Sequence, residues 1–147
     1  MNFFRFNNLL VNPARFFKFF YRDLVCEMPT KEKKIWLTFD DGPHPVYTTQ
    51  VINILSKYSI TATFFLEGEK AVQYPKLIDL LKKNNHSIGN HTHSHLNGWT
   101  TSTTKYLKNV HEAQKIIKSS LFRPPFGKIK FRQIKKLKNH FKIVMWS

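Results

Sequence analysis

The sequence predicts an α/β fold built on a parallel sheet. Three observations carry this expectation. Short strand-like runs recur at residues 35–39, 62–66, 87–90, 121–123 and 141–146. The segments between them carry apolar residues at helical spacing. Breakers such as Gly42-Pro43, Glu67-Gly68 and Pro124-Pro125 close the runs. Strand–helix–strand units of this kind cross over right-handedly and lay their strands parallel. A closed eight-unit barrel takes about 250 residues. A chain of 147 residues with about five such units therefore implies an open, incomplete (β/α) barrel.

The elements follow in order. Residues 13–21 read as an amphipathic helix packing on the domain, with a helix lying on a membrane surface as the alternative. Residues 23–33 are a polar connection containing Pro29. Ile35, Trp36, Leu37 and Phe39 make a buried opening strand that runs into Asp40 and Asp41. Residues 47–58 form a helix through Val51, Ile52, Ile54, Leu55 and Tyr58, and Ser59 turns the chain. After the strand at 62–66, residues 74–84 form a helix through Leu77, Ile78, Leu80 and Leu81. Pro75 suits its first turn, and Asn84-Asn85 its stop. The short strand 87–90 runs into His91-Thr92-His93-Ser94-His95. A helix over 102–119 presents Tyr106, Leu107, Val110, Ala113, Ile116 and Ile117. Residues 121–123 are the fourth strand, 131–140 a basic helix and 141–146 the fifth strand. An apolar strand at that position calls for a neighbour to cover its edge, which predicts elements beyond it.

Composition sets the bounds. The length suits one domain, divided here into residues 1–33 and a main unit of 34–147. Fourteen Phe, three Trp and five Tyr supply a core and argue against disorder. The formal net charge is +15, which raises nucleic acid, anionic glycans or a membrane surface as partners. Cys26 is the single cysteine, so no internal disulfide forms. No apolar run approaches the ~20 residues of a membrane span. Leu9-Leu10-Val11 is too short for the centre of a signal peptide. Compartment is left open between cytoplasm and envelope.

The chemistry gathers at the ends of the strands, where α/β folds bind ligands. Asp40 and Asp41 end one strand, the three histidines follow another, and Arg123 ends a third. His91 and His95 are four residues apart, so one helical turn would place both imidazoles on one face. Two imidazoles and a carboxylate match a catalytic metal site with open positions. His93 is expected to point away. One of the two acids can then bind the metal while the other serves as a base. Arg123 can hold one of them ionised and oriented. In the Pro124-Pro125-Phe126-Gly127 turn only Phe126 and Gly127 offer a backbone N–H, a possible oxyanion donor.

Thr38-Phe39-Asp40-Asp41-Gly42-Pro43, His91-Thr92-His93-Ser94-His95 and Arg123-Pro124-Pro125-Phe126-Gly127 resemble, in order and spacing, the first three motifs of the polysaccharide deacetylases. This is carbohydrate esterase family 4, the NodB-homology domain. The resemblance runs from about Ile35 to Trp146. It implies a distorted (β/α) barrel of the NodB type and a metal-dependent hydrolase that removes acetyl groups from chitin oligomers, peptidoglycan or acetylated xylan. It implies Asp40 as catalytic base, Asp41, His91 and His95 as ligands of a divalent metal, with Zn2+ expected, Arg123 as the group that orients Asp40, and the Phe126 N–H as oxyanion donor. Thr92 and Ser94 would support the His loop. The family also has an aromatic-acidic motif past the fifth strand and, further on, a His that acts as general acid. Trp146-Ser147 resembles the start of the former. His44, His86, His111 and His140 lack the context of the latter, so a chain lacking this C-terminal part is expected to bind metal and turn over poorly.

Two rival readings stand beside this one. One is an inactive metal-binding fragment. The other is a basic module for glycans or nucleic acid, supported by the charge and by Lys128, Lys130, Arg132, Lys135, Lys136 and Lys138. No nucleic-acid-binding motif accompanies that basic stretch, so an acetylated polysaccharide is the expected partner, with no specific nucleic acid. The basic helix reads first as a solvated face, and peripheral contact with anionic envelope polymers is its functional reading.

Overall fold

The computed structural model describes residues 23–28 and 30–146. The helix expected at 13–21 lies outside the described residues. Six strands are described: β1 (Leu24–Val25), β2 (Thr38–Gly42), β3 (Thr63–Leu66), β4 (Ser87–Asn90), β5 (Leu121–Phe122) and β6 (Lys142–Val144). They form one sheet in the order β1-β6-β5-β4-β3-β2, and every pairing is parallel. The helices are α1 (Tyr47–Lys57), α2 (Gly68–Gln73), α3 (Pro75–Lys83), α4 (Thr103–Ile117) and α5 (Phe131–Leu137). Among the described residues the sheet is open, as the element count predicted.

The helices begin and end for local reasons. Ser102, expected inside α4, is its N-cap and accepts the Lys105 N–H through its hydroxyl at 3.4 Å. Lys118 closes the same helix in the left-handed conformation, φ 51°. Pro75 stands at the start of α3, where its missing N–H costs nothing. The helix α2 was not anticipated. Its six residues are too few to show a helical period, and α3 follows after Tyr74 alone.

Two apolar clusters make the core. Phe64, Leu66, Ile52, Leu55, Ile78, Leu81 and Ile117 build one. Tyr106, Val110, Phe122, Ile134, Leu137 and Ile143 build the other. Helix α4 serves both, through Ala113 and Ile117 on one side and Tyr106 and Val110 on the other. Each large side chain so buried contributes about 1.5–3 kcal/mol.

Three expectations need correction. The opening strand is not the buried run 35–39. It begins at Thr38, and Ile35 and Trp36 are 84% and 51% exposed. The cause is position. Among the described residues β2 is an edge strand, so its flank has no neighbour to bury it. Residues 23–33 are not wholly a connection, because Leu24 and Val25 pair with Ile143 and Val144. For the same reason β6 is not left with an open edge, since β1 flanks it on one side and β5 on the other.

Candidate active site

Because all the strands run the same way, the residues after their C-terminal ends meet at one rim of the sheet. The two acids reach that rim by way of a bulge. Phe39 lies opposite Phe64 and Gly42 opposite Leu66, so β2 spends one more residue than β3 over the same length. In a regular strand Asp40 and Asp41 would point to opposite faces. The bulge re-aims them, with Asp41 in the left-handed region at φ 65°, which Asp tolerates better than most side chains. Each carboxylate then finds its own set of partners.

The histidine loop is held from several sides. Asn90, fully buried at the end of β4, donates to the Val110 carbonyl at 3.0 Å and accepts the Thr92 N–H at 2.9 Å. The Thr92 hydroxyl accepts the Leu96 N–H, and its carbonyl accepts the Gly68 N–H. The Asn109 Oδ1 accepts the N–H groups of His93 and Ser94, while its Nδ2 donates to the Ser94 hydroxyl. The segment is not the helical turn that the spacing suggested. Thr92 and His95 have φ of 65° and 51°, which a right-handed helix excludes. The loop still brings the His91 and His95 rings to 5.2 Å between centroids. His93 faces the other way, towards Glu112 of α4 at 3.6 Å.

Asp41, His91 and His95 converge. Asp41 Oδ1 is 3.2 Å from His91 Nε2 and 3.0 Å from His95 Nε2. One ligand atom from each lies within 4.8 Å of the others. Zinc–ligand bonds of ~2.0–2.1 Å place neighbouring donors of a tetrahedron about 3.4 Å apart, close to these separations. The tautomer of His91 sharpens the fit. Its Nδ1 is 2.7 Å from the Arg123 carbonyl, which only accepts, so Nδ1 carries the hydrogen. Burial lowers the His91 pKa, against the pull of Asp40 and Asp41, and favours the neutral ring. Its Nε2 lone pair then faces a carboxylate oxygen, two acceptors that repel unless a cation stands between them. The donor set fits a divalent metal.

Asp40 belongs to a second arrangement. Arg123 is 3% exposed, and its Nη1 donates at 2.8 Å both to Asp40 Oδ1 and to the Thr38 hydroxyl. Its other nitrogens reach the carbonyls of Val144 and Met145 at 3.4 and 3.3 Å. The guanidinium also lies 4.2 Å from the Phe65 ring centroid. Arg123 therefore orients Asp40 with its side chain and His91 with its carbonyl. In the turn that follows, the Gly127 N–H is committed to the Pro124 carbonyl at 3.0 Å. That leaves the Phe126 N–H as the available donor, on a residue at φ 59°. The Phe126 ring packs edge-on against His95, 4.6 Å between centroids.

All six residues singled out from the sequence thus meet at one rim. Sequence reasoning gave no role to Thr38, Asn90 or Asn109. Thr38 opens the first motif and Asn90 adjoins the second, so both were legible from their positions. Asn109 sits mid-helix, with no local signal.

The polysaccharide deacetylase family profile matches residues 27–141. The chain belongs to the polysaccharide deacetylase family. It is 39% identical over 130 residues to a peptidoglycan-N-acetylglucosamine deacetylase of Bacillus cereus, covering 84% of this chain and 61% of that protein. It is 36% identical over 110 residues to a chitooligosaccharide deacetylase of Azorhizobium caulinodans, covering 70% and 52%. The crystal structure of a peptidoglycan N-acetylglucosamine deacetylase bound to a naphthalenyl-N-oxidanyl-benzamide superposes with a TM-score of 0.84 at 30% identity, over 89% of this chain and 65% of that one. The structure of the peptidoglycan deacetylase PdaC from Bacillus subtilis gives 0.75 at 33%, over 82% and 61%. The chain spans between about half and two thirds of the length of these relatives. No described helix is long and apolar enough to cross a membrane.

Proposed function

We propose that this polysaccharide deacetylase family member is a metal-dependent hydrolase of N-acetylated glycans, peptidoglycan or chitin oligomers, with Asp41, His91 and His95 as ligands of Zn2+. The convergence of those three donors within 4.8 Å carries the reading. The sequence relatives act, by name, on peptidoglycan and chitooligosaccharides, which supports the substrate class.

A bound divalent ion would supply Lewis acidity and a water of lowered pKa. The remaining work falls to the chain. Asp40 accepts the proton of the attacking water as its oxygen bonds to the acetamide carbonyl carbon. Arg123 holds the Asp40 carboxylate in position through a hydrogen bond of 2.8 Å. The Phe126 N–H donates to the oxygen on which negative charge develops. When the carbon–nitrogen bond breaks, Asp40 returns that proton to the departing amine in place of the general-acid His that the family resemblance implies, and this is the step expected to be slow. Acetate and a free amino sugar result.

Zinc content and acetate release from chito-oligosaccharides, measured on the same samples, test this. Asp40→Asn should keep its zinc and lose at least about 100-fold in rate. His91→Ala should lose the zinc. Zinc that stays bound in His91→Ala, or full turnover by Asp40→Asn, would refute the assignment.

A further inference from the structure

Beside the candidate metal centre lies a patch that the reaction itself does not use. Trp99 is 53% and Phe126 55% exposed. The Lys128 ammonium lies near both rings, 5.6 Å from the Trp99 centroid and 5.8 Å from that of Phe126. Phe126 in turn packs on His95, so the patch adjoins the ligand set.

The loop that carries Trp99 is built to hold it. The Gly98 N–H donates to the Lys128 carbonyl at 3.1 Å, and the Trp99 N–H to the Asn97 Oδ1 at 2.9 Å. Gln133, fully buried, donates to the Gly98 carbonyl at 3.0 Å. A Cβ on Gly98 would fall 2.2 Å from the Lys128 carbonyl oxygen, so the two loops meet backbone to backbone. The indole is presented on a fixed support.

A flat, rigid aromatic face matches the apolar face of a sugar ring. The cation beside the rings adds a charge requirement. Among the described residues Lys128 has no carboxylate within ion-pair distance, so its charge is available at the rim of the site. We propose that Trp99 and Lys128 form a subsite for the sugar next to the reacting one, and that it selects a glycan bearing a carboxylate on that neighbouring unit over a neutral one. The inference rests on the glycan-deacetylase reading and narrows its substrate to an acidic amino-sugar polymer.

The test compares binding of two oligosaccharides of equal length. One is a neutral chitin oligomer. The other is a peptidoglycan oligosaccharide whose alternate sugars carry lactyl carboxylates. The protein is the Asp40→Asn chain with zinc, so that turnover does not deplete the probe. The acidic probe should bind up to about fivefold more tightly at low salt, the scale of one partly exposed charge pair. Lys128→Gln should abolish that preference and leave the neutral probe unchanged. Trp99→Ala should weaken both probes by roughly 2- to 12-fold, with an unchanged melting temperature as the check on folding. Equal affinities for the two probes, or a preference that survives Lys128→Gln, would overturn the proposal. A wild-type chain that releases acetate while its Asp40→Asn form binds both probes alike sinks this inference alone. A chain that shows the charge preference but takes up no zinc and releases no acetate sinks the earlier reading alone.

Discussion

Replacing Arg123 by Met separates what its side chain does from what its backbone does. The side chain is 3% exposed and makes two short hydrogen bonds, to Asp40 and Thr38 at 2.8 Å, and two long ones, to Val144 and Met145 at 3.4 and 3.3 Å. Met fills part of the volume against Phe65 but offers no donor. Breaking a buried ion pair by removing one partner costs about 3–5 kcal/mol. Asp40 is 30% exposed and regains some hydration, so the lower end, about 3 kcal/mol, applies. At roughly 3 °C per kcal/mol for a chain of this size, the melting temperature should fall by about 9 °C. The backbone carbonyl that holds His91 Nδ1 is unchanged, so zinc binding should survive. Thermal unfolding followed by circular dichroism, with zinc content measured on the folded protein, reads both quantities. A shift below about 2 °C would refute the energetic argument. Loss of zinc in a protein that still folds would refute the division between side chain and carbonyl.

Zinc at about 100 times its Kd should stabilise the wild type by about 2.7 kcal/mol, and Asp41→Ala should remove that shift in thermal melts. His86 is 6% exposed and accepts the Ala62 N–H through Nδ1, and burial lowers its pKa. Below pH 6.5 the unfolded chain takes up this proton before the folded one does, so stability falls as pH falls from 7 to 5. His86→Gln should flatten that slope in urea titrations at the two pH values. Gly68→Ala would set a Cβ 2.3 Å from His93 Nδ1 and 3.0 Å from the Ala113 backbone. It should cost about 1–3 kcal/mol, read as a lower urea midpoint.

The site was more legible than the fold around it, and the reason is locality. Each motif is a run of adjacent residues, and a parallel sheet gathers the ends of its strands without further information. Asp40, Asp41, His91, His95, Arg123 and Phe126 could therefore be placed together from strand order alone. The errors came where distance along the chain matters. That Leu24 and Val25 would pair with Ile143 and Val144 is not written in a two-residue apolar run. The exposure of Ile35 and Trp36 depends on which strand lies at the sheet edge, and hydrophobicity is silent on that point. The histidine loop misled by its spacing. Residues four apart suggest a helical turn, yet the left-handed Thr92 and His95 bring the rings together by another route.

The bulge in β2 explains how two neighbouring acids come to do different work. Without the extra residue between Phe39 and Gly42, alternation would send one carboxylate to each face of the sheet, and only one could reach the rim. With it, Asp40 turns to Arg123 and Asp41 to the histidines. The separation matters chemically, because an acid bound to a metal is a poor base. Arg123 enforces it by holding Asp40 with its side chain while its carbonyl fixes the tautomer of His91. Under the proposed assignment, metal affinity and basicity depend on one residue through two different groups, and a substitution that alters only the side chain should uncouple them.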